Sequence, residues 1–120
     1  MNMNEYQLLA ERTANNGNPD ELRFANFGMG ISGEAGEVTD LLKKTVFHGH
    51  PLDKNKLLKE LGDVLWYVAT IASTAGIDLD DVATANIEKL RERYPKGFSE
   101  ADSQRRADLY GIKDKGSEQG

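Results

Sequence analysis

The sequence is 120 residues long, enough for one hydrophobic core and too short for two independent ones. Apolar residues make up 38%, with 12 glycines besides, which is normal for a globular domain, and 15 basic against 20 acidic side chains leave a net charge of −5. That balance excludes the basic excess of a phosphate-backbone binder, while zero cysteines and two histidines exclude disulfides, a thiol nucleophile, any Cys-based metal site and a three-His zinc site.

Strand signals are scarce, because no stretch alternates β-branched residues between tight turns. Periodicity near 3.6 recurs instead and predicts four main helices. The opening MNMNEYQLLAER lacks a basic segment followed by an apolar one, and no run of about 18 apolar residues occurs anywhere, so no membrane span and a cytoplasmic location are expected. The first helix covers Asn4 to Ala14 and stops in the turn chemistry of Asn15-Asn16-Gly17-Asn18-Pro19. The second begins at Pro19 or Asp20 and runs to about Phe47. His48-Gly49-His50-Pro51 ends it, since glycine supplies a C-cap conformation and proline cannot continue a helix. The third runs from about Asp53 to Ala75, with Gly76 as its stop. The fourth takes Asp78 as N-cap and ends before Pro95. Residues 1–98 are thus expected to form a single all-α domain, a four-helix bundle. A short C-terminal helix or extension is expected over 99–110, and 111–120 has too little to bury and is expected to be a disordered tail.

Helical wheels at about 100° per residue assign the faces. On the third helix Leu57, Leu61, Val64, Leu65, Val68, Ile71, Ala72 and Ala75 form one apolar arc, which is expected to face the core. The opposite side carries Gly62, Trp66, Ala69 and Ser73 rather than lysines and glutamates, so this helix is expected to have neighbours on both sides. A second subunit is expected over the tryptophan face, and the alternative is cover by the first helix or the tail of the same chain.

On the second helix the apolar arc is Phe24, Phe27, Ile31, Ala35, Val38, Leu41, Leu42 and Val46. Glu34 falls inside that arc and Glu37 lies at its edge one turn further on. Glu60 and Asp63 repeat the three-residue spacing at the border of the third helix's arc. Carboxylates so placed need cations, because an unpaired buried ion costs several kcal/mol. Three readings compete. The glutamates pair with Lys43, Lys44 or Lys59; or they form a di-iron site, which requires Glu-x-x-His on two helices and finds no such motif around His48 and His50; or they hold a pair of Mg²⁺ ions. The last fits the ligand types best, with Mn²⁺ as the other ion that suits carboxylates.

Gly28-Met29-Gly30-Ile31-Ser32-Gly33 matches G-x-G-x-x-G, yet it follows a helical segment rather than a strand, so it is read as helix and not as a dinucleotide loop. Gly30 and Gly33 share a side with Glu37, which gives the expectation that they clear space for a metal–phosphate assembly. On the fourth helix Asn86 sits within the arc of Leu79, Val82, Ala83, Ile87 and Leu90, with Lys89 and Arg93 at its border and Tyr94 beyond. Cations beside a carboxylate cluster suit a phosphate chain, against the alternative that they are solvated or pair with Glu88 and Glu92.

With these residues in view, the sequence resembles the MazG-like family of all-α nucleoside triphosphate pyrophosphohydrolases, related to the dimeric dUTPases and the dCTP pyrophosphatases. The resemblance spans about Phe27 to Phe98. It rests on Gly33-Glu34-Ala35-Gly36-Glu37, Glu60-Leu61-Gly62-Asp63-Val64-Leu65-Trp66-Tyr67 and the stretch Asn86 to Pro95, against a family pattern of E-E-x-x-E followed by E-x-x-D. Gly33 stands where many members carry the first glutamate, and the metal site is expected to survive this variant. The resemblance implies Glu34, Glu37, Glu60 and Asp63 as Mg²⁺ ligands, with Glu34 or Glu37 taking the proton of the attacking water. It also implies Asn86, Lys89, Arg93, Tyr94 and Lys44 as substrate contacts. The implied reaction cuts a nucleoside triphosphate between its α and β phosphates, in a homodimer or a dimer of dimers. The reading from another class is a catalytically silent helical interaction module on the same scaffold.

Overall fold

In a computed structural model the described residues are 1–14 and 17–110; Asn15, Asn16 and the expected tail 111–120 lie outside them. The elements are α1 (Met3–Ala14), α2 (Asp20–Phe47), α3 (Lys54–Thr74), α4 (Leu79–Arg93), α5 (Glu100–Arg105) and α6 (Ala107–Tyr110). Among the described residues the only β pairing is an isolated bridge between Pro95 and Gly97, so the all-α expectation holds. None of these helices is long and apolar enough to cross a membrane.

Local chemistry sets the helix limits. The Asp53 carboxylate accepts the backbone N–H of Lys56 at 3.0 Å and caps α3. At the end of α2 the N–H groups of His48 and His50 both donate to the Lys44 carbonyl at 3.1 Å, and Gly49 takes φ 73°, as a helix C-terminus requires. Where one short helix was expected after Ser99 there are two. Ser99 caps α5 by accepting the N–H of Asp102, and Arg106, left-handed at φ 52°, separates α5 from α6.

The chain divides into a first unit, Met1–Leu79, and a second that begins at Asp80. In the first unit α3 packs against both α2 and α1. The core there is built on Ala10, Ala69 and Leu79, with Met3, Tyr6, Trp66 and Val68 against them. Small side chains on both helices let α1 lie close to α3. Two polar side chains secure the turns. Gln7 donates to the Ile77 carbonyl and accepts the Leu79 N–H, both at 2.8 Å. Buried Arg23 is satisfied by Glu11 at 2.8 Å, the Thr74 hydroxyl at 3.1 Å and the Ala14 carbonyl at 3.3 Å, with its guanidinium over the Phe27 ring.

Both expected faces of α3 are partly covered: on the apolar arc Ala72 is buried and Val68 packs against the core, and the opposite side is covered as well. Trp66 and Ala69 are covered by α1 of the same chain: the indole N–H donates to Thr13 Oγ1 at 2.9 Å, and Ala69 is fully buried. The indole needs a nearby acceptor, and α1 supplies it. Near the N-terminal end of the arc the cover is missing: Leu61 is 51% exposed, and Leu58, outside the expected arc, is 68% exposed. The arc of α2 is likewise only partly covered, since Phe27 is buried while Phe24, Leu42 and Val46 remain exposed.

Candidate metal centre

Glu34 on α2 and Glu60 and Asp63 on α3 each offer a carboxylate oxygen, and these atoms lie within 4.8 Å of one another. The three-residue spacing on α3 turns Glu60 and Asp63 to one side, and the packing of α2 on α3 brings Glu34 to meet them. Burial, followed by the charges of Asp63, Glu60 and Glu37, raises the Glu34 carboxyl above its ordinary value. Glu60 Oε2 is buried with no hydrogen-bond donor. Among the described residues, no ion pair joins a lysine or arginine to any of these carboxylates; Lys44 and Lys43 pair with Asp40, at 3.0 and 3.5 Å. A buried, unpartnered carboxylate oxygen among like charges is what a hard cation satisfies, so these residues fit a divalent metal.

Glu37, also expected as a ligand, is exposed and stands outside the group of three, although its charge reaches Glu34. His48 and His50 are exposed in the α2–α3 turn, outside the cluster. The G-x-G-x-x-G segment is interior to α2, as expected. Gly30, however, clears space for a side chain rather than for phosphate: a Cβ there would clash with the Tyr67 ring, while a Cβ at Gly33 would meet nothing within 4 Å. Tyr67 packs edge-on against Trp66 at 5.0 Å between ring centres and also contacts Phe27. Tyr6 was missed in the sequence. Its hydroxyl is pushed above the ordinary tyrosine value by burial and then by the charge of Asp63. The sequence signal for it was the Met3, Tyr6, Ala10 stripe on α1.

The remaining expected residues belong to the second unit. Asn86 and Lys89 are exposed on α4. Arg93 donates to Asp108 through Nε at 3.0 Å and Nη2 at 2.9 Å. Tyr94 lies under the Arg93 guanidinium and hydrogen-bonds Ser103, which holds its hydroxyl below the usual value.

Residues 25–98 match the MazG nucleotide pyrophosphohydrolase domain. The chain belongs to this family. As a MazG domain it is an enzyme of the nucleotide pyrophosphohydrolase class. Gene 37 protein of Mycobacterium phage L5 is 32% identical over 114 residues, covering 88% of this chain and all of that protein. The dCTP pyrophosphatase 1 proteins of Rattus norvegicus and Mus musculus are each 29% identical over 90 residues, 70% of this chain and 53% of theirs. The MazG chain therefore spans about half the length of those two pyrophosphatases. No solved structure gives a significant match.

Proposed function

We propose that this chain hydrolyses a nucleoside or deoxynucleoside triphosphate between the α and β phosphates, giving a nucleoside monophosphate and pyrophosphate. The observation that carries this reading is the meeting of Glu34, Glu60 and Asp63, with the Glu60 oxygen left without a donor. Mg²⁺, or Mn²⁺ in its place, would be held by Glu34, Glu60 and Asp63 together with Glu37. Bound there, it supplies charge for the triphosphate oxygens, a lowered water pKa and relief of charge on the leaving pyrophosphate.

The protein's own groups do the rest. Glu34, with its raised carboxyl, and Glu37, exposed beside it, are the two acceptors for the proton of the attacking water. The family resemblance implies Asn86 and Lys89 on α4 and Lys44 on α2 as substrate contacts, an amide and two ammonium groups. The dCTP pyrophosphatase relatives make dCTP the first substrate to test.

Residues 1–98 act as one functional domain in this reading, supported by the family match that ends at residue 98. The working unit is a homodimer or a dimer of dimers. The open groove lined by Leu57, Leu58, Leu61 and Leu65 on α3 supports this, because a stripe of leucines on a long helix is stabilised by cover. A nucleotide substrate accords with a cytoplasmic location. The test incubates a panel of nucleoside and deoxynucleoside triphosphates with the enzyme and Mg²⁺ and quantifies monophosphate and pyrophosphate. Pyrophosphate release is expected; none from any substrate would favour the silent module.

A further inference from the structure

Within the first unit α2 packs on α3 after a turn over 48–53, so the two helices run antiparallel. Their contacts keep one register. The Tyr67 ring and hydroxyl lie where a Cβ of Gly30 would stand. Four residues further along α2 and four residues back along α3, Glu34 meets Asp63 and Glu60. Four residues are about 6 Å of helix, so the two meetings are neighbours.

The Tyr67 ring has little room to retreat from Gly30. Trp66, whose indole N–H is held by Thr13 at 2.9 Å, stands edge-on to it at 5.0 Å, and buried Phe27 lies 6.2 Å from it, ring centre to ring centre. On the other side of the carboxylates the packing loosens. There a cavity of about 420 Å³ opens among Leu41, Lys44 and Thr45 of α2 and Lys56 of α3. The Gly30–Tyr67 contact is therefore the last close-packed level before the centre, and it sets how near α2 comes to α3 at Glu34.

That separation bears on which cation the centre can take. Mg²⁺ demands near-octahedral geometry with oxygens at about 2.1 Å, so its ligand oxygens lie at most about 4 Å apart; Ca²⁺, at about 2.5 Å and with flexible geometry, accepts spans up to about 5 Å. The oxygens of Glu34, Glu60 and Asp63 lie within 4.8 Å of one another. A parting of the helices by about half an ångström would thus disfavour the smaller ion far more than the larger.

We propose that Gly30 and Tyr67 are positioning residues for the metal: their contact holds α2 close to α3 at Glu34 and so makes the centre select Mg²⁺ over Ca²⁺. This rests on the reading of Glu34, Glu60 and Asp63 as metal ligands. Neither Gly30 nor Tyr67 touches the ion; they act through the backbone that carries Glu34 and Asp63.

The test uses the full chain without nucleotide. Mn²⁺ is bound first and displaced by Mg²⁺ or by Ca²⁺, with the EPR signal of released Mn²⁺ giving each affinity. Wild type is expected to bind Mg²⁺ more tightly than Ca²⁺. Gly30→Ala is expected to lose about tenfold in Mg²⁺ affinity and less than about twofold in Ca²⁺ affinity. Tyr67→Trp, with a larger ring against Gly30, is expected to act in the same direction and stands in if Gly30→Ala fails to fold. Tyr67→Phe, which keeps the ring, is expected to retain the wild-type ratio, and so is Gly33→Ala, whose Cβ meets nothing within 4 Å. Adding Tyr67→Ala to Gly30→Ala is expected to restore Mg²⁺ affinity toward wild type. Equal losses for the two ions in Gly30→Ala and Tyr67→Trp, no change for either ion, or a wild-type preference for Ca²⁺ would overturn the positioning role and leave the metal reading standing. A wild type that binds none of the three ions would overturn the metal reading itself.

Discussion

Glu34 concentrates the conflict of the centre: it is half-buried, and Asp63, Glu60 and Glu37 all press its proton into place. In the metal-free protein its folded carboxyl holds a proton more tightly than the unfolded one. The folded state therefore binds more protons in the window just above the ordinary carboxylate value, and stability falls as pH rises through that window. Glu34→Gln removes this repulsion. Thermal melts at neutral pH are expected to show a higher Tm for the metal-free variant and a smaller rise on adding Mg²⁺ than in wild type; an equal Mg²⁺ response would remove Glu34 from the ligand set. Asp108 and Asp40 run the other way. Arg93 and Arg106 hold Asp108 well below the usual carboxylate value, and Lys44 lowers that of Asp40. Their contribution is present above that ordinary value and is lost as pH falls through and below it.

Among the elements, α2 and α3 carry the centre, and the Gly30–Tyr67 contact fixes how closely they approach there. An alanine at Gly30 must displace a ring already set against Trp66 and Phe27. Overpacking of that kind costs about 1–3 kcal/mol, whereas glycine to alanine in a helix otherwise gains about 1 kcal/mol. Denaturant unfolding is thus expected to show Gly30→Ala destabilised in wild type but stabilising in a Tyr67→Ala background, and Gly33→Ala stabilising in both. Equal effects at Gly30 with and without Tyr67 would refute the contact. The helix limits were legible in the sequence because caps are local: Asp53, Gly49 and Pro95 act on neighbours within a turn. So were Glu34, Glu60 and Asp63, whose three-residue spacing and place beside apolar residues are properties of single helices. How far each face of α3 is covered was not legible, although Val68 and Ala72 of the expected arc do lie against the core. Leucines and the Trp66–Ala69 side are both apolar, and contacts distant in sequence, the packing of Ala10 on Ala69 and the Thr13–Trp66 bond between residues 53 apart, decide which one α1 covers. The role of Gly30 is hidden for the same reason, since its neighbour Tyr67 belongs to another helix. The partner of Arg93 was hidden likewise: Asp108 sits in a segment with little helical periodicity of its own.

For the whole molecule, few large side chains are buried among the described residues, and Leu58 and Leu61 stand open on α3. If a second copy covers that stripe, Leu58→Glu with Leu61→Glu is expected to give a species near the 13.3 kDa of one chain in sedimentation, against a larger wild-type assembly. A wild-type monomer at micromolar concentration would contradict the dimer. In the proposed function, cations held by carboxylates of the centre are what would let a chain of net charge −5 take an anionic substrate. That claim is tested most directly by the products formed from dCTP and the rest of the panel with Mg²⁺, for wild type and for Glu37→Gln and Asp63→Asn. Monophosphate and pyrophosphate are expected in equal amounts, with kcat/KM lowered about 100-fold or more in each variant. Diphosphate with inorganic phosphate, or undiminished activity in both variants, would contradict it.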